Sequence, residues 1–454
     1  MAPLPPIFQD TENEQECVLP KDDTYTPLLR RSRRRRNDDK NAAPFSWVDY
    51  GIFALLGMAM LWSWNMFLAA SPYFQDRFQA NEWVLENSQS AIIAVSTVTN
   101  LGAMIILTNM QCIGHYSSRV YLGLCINFFV FALLAVSTAV FLQVLPSQYL
   151  GFILVMATSS SLASCLIQNG AFALAASFGR PEYMQAMMAG QGVAGVLPAV
   201  AQIISVLVAP TEEPVSGGAR AVNSDAGFST LIYFLTAEVV FCIVLLAFVP
   251  LERQYCRLAG HQTASIDGHL EREGGTRRLV AVTTVFKKLY WCSAAIFTCF
   301  VIAMFFPVLT PKILSVTPPS KANPLLAPAI FIPLALFFWN LGDLVGRGSA
   351  LLLPFRGPQA MLFAMSVARI LFLPLYTLCN IHGRGAVIPS DLFYLLLVQF
   401  PYGLTTGWLA SNCMMNACER VDKGERELVG GLMALCLMAG LTFGSLLSFT
   451  VAGI

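Results

Sequence analysis

The sequence predicts an all-α membrane protein that crosses the bilayer eleven times, six helices and then five, with its N-terminus in the cytoplasm. Three observations predict it. Of the 454 residues, 56% are hydrophobic and only 12% charged, about half the charged share of an ordinary soluble domain. Apolar runs of about 20 residues, long enough to cross a hydrocarbon core, recur between short polar breaks. The basic residues are also segregated. Eight Lys and Arg precede the first run and seven more lie in one internal segment, 251–288, as expected where cytoplasmic segments carry positive charge.

Taken in order, residues 1–46 form a polar cytoplasmic tail containing RRSRRRR, Arg30 to Arg36. No cleavable signal is expected there, and the basic run reads as a topology anchor that touches anionic lipid. DTYTPLL, Asp23 to Leu29, comes within one residue of the spacing of an acidic dileucine sorting signal. The first six spans are read at 47–70, 88–108, 120–143, 149–177, 184–209 and 228–250. Segment 251–288 mixes charge with glycine and sustains no apolar period, so it reads as a flexible cytoplasmic linker. Five more spans follow at 289–311, 328–353, 359–380, 391–417 and 427–453, and an odd total places Ile454 on the far side. None of the twelve cysteines falls in a non-cytoplasmic loop, which argues against an external disulfide framework. No CxxC pair or Cys/His cluster suggests a metal.

Charges inside the spans carry the functional information, because each costs about 2.5–3.5 kcal/mol at the bilayer centre. Asp343 and Arg347 lie within LFFWNLGDLVGRGSALLL, Leu336 to Leu353. Four residues apart, they share a helical face and can pair. Such a pair is either structural or a grip for neighbouring hydroxyls, and the second reading is preferred. Asn340 and Gly346 lie beside that face. Gln168 and Asn169 interrupt the fourth span, and Trp64 with Asn65 the first; a lone amide in a helix is commonly an interhelical hydrogen bond. Arg369 in the ninth span can neutralise a carboxylate or bind a helix C-terminus. Glu238 in the sixth can pair with Arg369, carry a proton or line the bundle.

Residues 190–195, GQGVAG, match a dinucleotide-binding glycine pattern, but no strand precedes them and an apolar helix contains them. Gly190, Gly192 and Gly195 therefore read as positions of close helix packing, as do Gly440 and Gly444. The sequence contains no HExxH, GxSxG or P-loop, and its four histidines sit in loops or at span edges. These absences exclude a P-loop ATP-driven pump and disfavour an enzyme.

Five of these segments, in chain order, resemble the motifs of one family, the equilibrative nucleoside transporters. They are WNMFLAASPYF (Trp64 to Phe74), MAGQGVAG (Met188 to Gly195), WNLGDLVGR (Trp339 to Arg347), RILFLPLYTLCN (Arg369 to Asn380) and GWLAS (Gly407 to Ser411). The resemblance implies a 6+5 version of the major-facilitator fold, with substrate held between the halves 47–250 and 289–454. By matching position, Asp343 and Arg347 would contact ribose hydroxyls and Gln168 the base edge, with Trp64, Leu68, Phe306 and Asn340 lining the cavity. Asn65, Gly190, Gly192, Gly195 and Arg369 would hold helices together. Asn169, Thr406 and Trp408 depart from the family pattern and leave base preference open.

The expected function is facilitative transport of nucleosides by alternating access, with nucleobases and proton coupling through Glu238 left open. No metal, organic cofactor or nucleic-acid partner is implied, and a vacuolar or lysosome-like membrane and the plasma membrane remain equal alternatives. Two rival readings stand beside it: a major-facilitator-like carrier of another polar solute such as a sugar or drug, and an intramembrane enzyme.

Overall fold

The computed structural model describes residues 45–448, apart from 111–115, 142–143, 209–230, 233, 256–281, 318–325, 327 and 422–424. The basic run, the dileucine-like segment and most of the 251–288 linker lie outside the described residues. At its edges that linker differs from expectation: the sixth span continues as helix to Tyr255, and Val282–Lys288 is a short helix.

The first six helices are α1 (Trp47–Ala69), α2 (Glu82–Asn109), α3 (Tyr116–Val140), α4 (Pro146–Ser177), α5 (Pro181–Val208) and α6 (Phe234–Tyr255). The last five are α7 (Tyr290–Ala303), α8 (Pro328–Leu352), α9 (Gln359–Ala368), α10 (Phe400–Glu419) and α11 (Arg426–Ser448). Among the described residues, ten helices are long and apolar enough to cross a membrane. The exception is α10, at the position of the tenth expected span. It opens with a π-helical turn, Phe393–Gln399, and its own residues include Thr405, Thr406, Ser411, Asn412 and Asn416, all but Thr405 buried. A helix can be this polar only if protein rather than lipid surrounds it.

Local chemistry sets several boundaries. Asn81 caps α2 by accepting from Val84 N at 3.2 Å, which starts that helix six residues before the expected span. The ninth span is broken: α9 passes into a tight turn at Arg369–Leu371 and then the short helix Phe372–Tyr376. Beyond it, Asp391 gathers the loop that follows α7, accepting from Ser315 Oγ at 2.7 Å, Val316 N at 2.9 Å and Thr317 Oγ1 at 2.8 Å.

The site is positioned by a row of four helices, α1, α5, α8 and α10, held nearly backbone to backbone by glycine. A Cβ on Gly57 of α1 would strike the Met187 carbonyl of α5, and one on Gly190 would strike that of Ala54. Gly342 and Gly346 of α8 meet the Phe400 and Leu404 carbonyls of α10. Gly403 and Gly407 return the arrangement against Trp339 and Asp343. Dispersion between closely approaching backbones is what holds helices together in lipid, where no hydrophobic effect separates them from the tails.

Candidate functional site

The centre of that row is the Asp343–Arg347 pair. Arg347 Nε donates to Asp343 Oδ2 at 2.7 Å, and each residue is only 5% exposed. Arg347 Nη1 reaches across to α5, donating to the Met188 carbonyl at 2.9 Å and to Gln191 Oε1 at 3.1 Å. Gln185 Nε2 completes the junction by donating to the Arg347 carbonyl at 2.8 Å. Two valences remain open: Asp343 Oδ1 is buried with no hydrogen-bond partner, and Arg347 Nη2 makes no hydrogen bond among the described residues. A carboxylate oxygen that only accepts beside a guanidinium N–H that only donates is matched to a hydroxyl-bearing ligand.

The remaining expected residues separate into those near the pair and those elsewhere. Gly192 packs on Leu344 and on the Arg347 side chain, where a Cβ would come within 3.1 Å of each, and Gly195 lies against Asn340 Oδ1. Asn340 donates to the Leu336 carbonyl one turn back at 2.8 Å. Phe306 is buried and stacks on Trp339, ring centroids 4.1 Å apart. Trp64 instead borders a crevice of about 20 Å³ beside Phe67, Phe74, Gln89 and Ile92, room for about one water molecule. Gln168 is buried in α4 and makes no hydrogen bond among the described residues. Leu68 belongs to α1, and its side chain lies outside the described residues.

Asn65 has a specific physical task. Pro198 inside α5 has no N–H, so the Ala194 carbonyl four residues earlier loses its helical donor. Asn65 Nδ2 supplies the replacement at 2.6 Å.

Arg369 is equally committed. It donates to the Cys299 carbonyl at 2.7 Å, to Thr405 Oγ1 at 3.2 Å and to Thr406 Oγ1, and it lies over the Tyr402 ring at 5.1 Å. The suggested pairing of Arg369 with Glu238 is therefore not formed: the guanidinium is taken by α7 and α10. Both Glu238 oxygens are buried without a hydrogen-bond partner.

Several residues of this site escape the sequence reading. Arg119 lies just before the expected third span, 120–143, yet it is buried. It donates to the Met110 carbonyl at 2.7 Å, at the C-terminus of α2, and to Asn169 Oδ1 in α4. A cation beside a helix C-terminus meets both the unpaired carbonyls and the macrodipole. Gln185 and Gln191 were legible as amides in an apolar run. Only the fold shows that both turn to Arg347.

Hydrogen bonds between α1–α6 and α7–α11 gather at one end of the bundle, where α1 and α5 begin and α8 ends. Besides the Arg347 junction they include Thr108 to the Gly431 carbonyl at 3.4 Å and Tyr255 to Glu427 at 3.2 Å.

Long apolar helices packed around a desolvated polar pair make this an all-α, polytopic membrane protein with a major-facilitator-like fold. Solved structures share the fold. The human organic anion transporter MFSD10 (TETRAN) aligns over 89% of this chain and 93% of its own with a TM-score of 0.55 at 15% identity. The proton:xylose symporter XylE aligns over 88% and 86% with a TM-score of 0.52 at 11% identity. Sequence narrows the class: the nucleoside transporter family model matches residues 154–452. The nucleoside transporter FUN26 of Saccharomyces cerevisiae is 29% identical over 88% of this chain and 83% of its own. Equilibrative nucleoside transporter 1 of Homo sapiens is 26% identical over 88% and 95%. The chain belongs to the equilibrative nucleoside transporter family.

Proposed function

We propose that this integral, multi-pass membrane protein is a facilitative transporter of purine and pyrimidine nucleosides that works by alternating access, with a cytoplasmic N-terminus and eleven spans divided six and five. The observation that carries the reading is the buried Asp343–Arg347 pair with its unused Oδ1. A charge pair in a dry bundle is costly to keep, and an unfilled acceptor on it is costlier still unless a substrate fills it. The hydrogen bonds that join Arg347 of α8 to Met188, Gln191 and Gln185 of α5 support a carrier whose halves meet at this pair.

In this reading a nucleoside enters from the side opposite the Arg347 junction and its sugar hydroxyls engage Asp343 and Arg347. The halves then close over it, and the Arg347 bonds to Met188 and Gln191 release. Glu238 is the residue through which protons would couple, its buried carboxylate having no other partner.

Uptake of labelled adenosine and uridine into proteoliposomes without an ion gradient, beside Asp343→Asn, tests this. Saturable uptake lost in the variant is expected; undiminished uptake by Asp343→Asn would sink the site assignment. An imposed proton gradient that leaves the rate unchanged in both wild type and Glu238→Gln removes the coupling role.

A further inference from the structure

We propose that Trp339 is a substrate-contacting, specificity-determining residue: its indole N–H and the unused oxygen of Asp343 form a donor–acceptor pair that takes one sugar hydroxyl of the nucleoside. The inference rests on the transport reading above and adds a residue to the same site. Trp339 and Asp343 stand four apart on α8, so they share a face of the helix. Each presents a buried polar atom with no hydrogen-bond partner, Nε1 on one and Oδ1 on the other. Buried polar groups are nearly always paired, and one left unpaired needs an explanation. Two on one helical face, beside a guanidinium with an open N–H, share one explanation in a ligand.

The chemistry selects that ligand. An indole nitrogen only donates and a carboxylate oxygen only accepts. A hydroxyl accepts from the first and donates to the second with a single oxygen, whereas a methylene satisfies neither and an ether oxygen only one. The indole is also held in place. It lies flat on Phe306, with planes 9° apart and centroids 4.1 Å apart, and Tyr402 meets it edge-on at 6.4 Å. Ring stacking fixes the direction of the N–H before substrate arrives, so little ordering remains to be done on binding.

Trp339→Phe keeps the stack on Phe306 and deletes only the donor. In proteoliposomes holding the full chain, KM is measured for adenosine and inhibition constants for 2′-deoxyadenosine and 3′-deoxyadenosine. The variant is expected to bind adenosine about 3- to 10-fold more weakly, the worth of one neutral hydrogen bond. One of the two deoxy analogues, lacking the hydroxyl in question, should bind both proteins equally. A uniform loss across all three compounds, as a purely structural indole would give, overturns the proposal, and so does no loss at all. Should the variant not fold, the wild-type chain decides: equal affinity for adenosine and both deoxy analogues overturns it, and a clear drop for one supports it. Wild-type uptake of adenosine with an unchanged selectivity in Trp339→Phe removes only this proposal. Absence of any nucleoside uptake by the wild type removes the transport reading itself.

Discussion

Arg347 spends its N–H groups on three different neighbours, the Asp343 carboxylate, the Met188 carbonyl and the Gln191 amide, so a substitution there has separable consequences. Removing one member of a buried pair leaves an uncompensated charge, at a cost of about 3–5 kcal/mol, while replacing both by apolar residues is often near neutral. Arg347→Met is therefore expected to lower thermal stability by that order, and Asp343→Leu added to it to recover most of the loss. Neither protein should transport. Melting in detergent beside proteoliposome uptake checks this; transport returning with stability would show the pair to be structural. Arg369 is different, since the partners it holds are α7 and α10 rather than an open site. Arg369→Met should cost about 1–3 kcal/mol from the acceptors left behind and reduce the amount of folded carrier, while the KM of what remains stays unchanged. A raised KM would place Arg369 in the substrate path.

At the scale of helices, α8 is the element on which the site depends, because it is clamped on both sides. Gly192 and Gly195 of α5 meet one face, and Gly403 and Gly407 of α10 close on another. A Cβ on Gly346 would collide with the Leu404 carbonyl, whereas one on Gly348, two residues away, meets nothing within 4 Å. Gly346→Val should strongly reduce folded protein and Gly348→Ala should be tolerated, a contrast that size-exclusion yield and melting temperature would reveal. Similar behaviour of the two would mean that α8 and α10 can separate at little cost. The π-helical turn leading into α10 and the broken α9 meet at a buried polar knot: Gln399 accepts from Tyr376 at 3.0 Å and donates to Thr310 Oγ1 at 2.9 Å. This knot satisfies groups that irregular backbone brings into the bundle, where no water is available to do so.

For the whole molecule, two expectations follow from topology and mechanism. The proposed arrangement of eleven spans with a cytoplasmic N-terminus would put the C-terminus on the far side. A C-terminal tag should therefore resist protease added from the cytosolic side, and ready cleavage would break the eleven-span arrangement. A carrier driven only by gradients should equilibrate substrate without accumulating it, and preloaded unlabelled nucleoside should accelerate entry of labelled nucleoside. Entry indifferent to preloading would argue against a single site alternately exposed.

Much of this was legible in the chain itself. Hydropathy marked a helical segment at each expected position, ten of them long and apolar enough to cross a membrane, because a bilayer imposes length and apolarity on any segment that crosses it. It did not show that α7 stops at Ala303 or that the ninth segment breaks at Arg369. The i, i+4 spacing of Asp343 and Arg347 announced their pairing, and the glycines of GQGVAG announced close packing. What sequence spacing cannot report is which helix lies against which. Only the tertiary structure decided that Arg119 reaches back to cap α2, that Asn65 repairs the carbonyl orphaned by Pro198, and that Arg369 is engaged by α7 and α10 rather than by Glu238. The reason is physical: helical periodicity assigns a residue to a face, but the partner of that face is chosen by contacts between segments tens or hundreds of residues apart. The unpaired atoms of Trp339 and Asp343 belong to the same lesson, because an unfilled valence is visible only once every available neighbour is known.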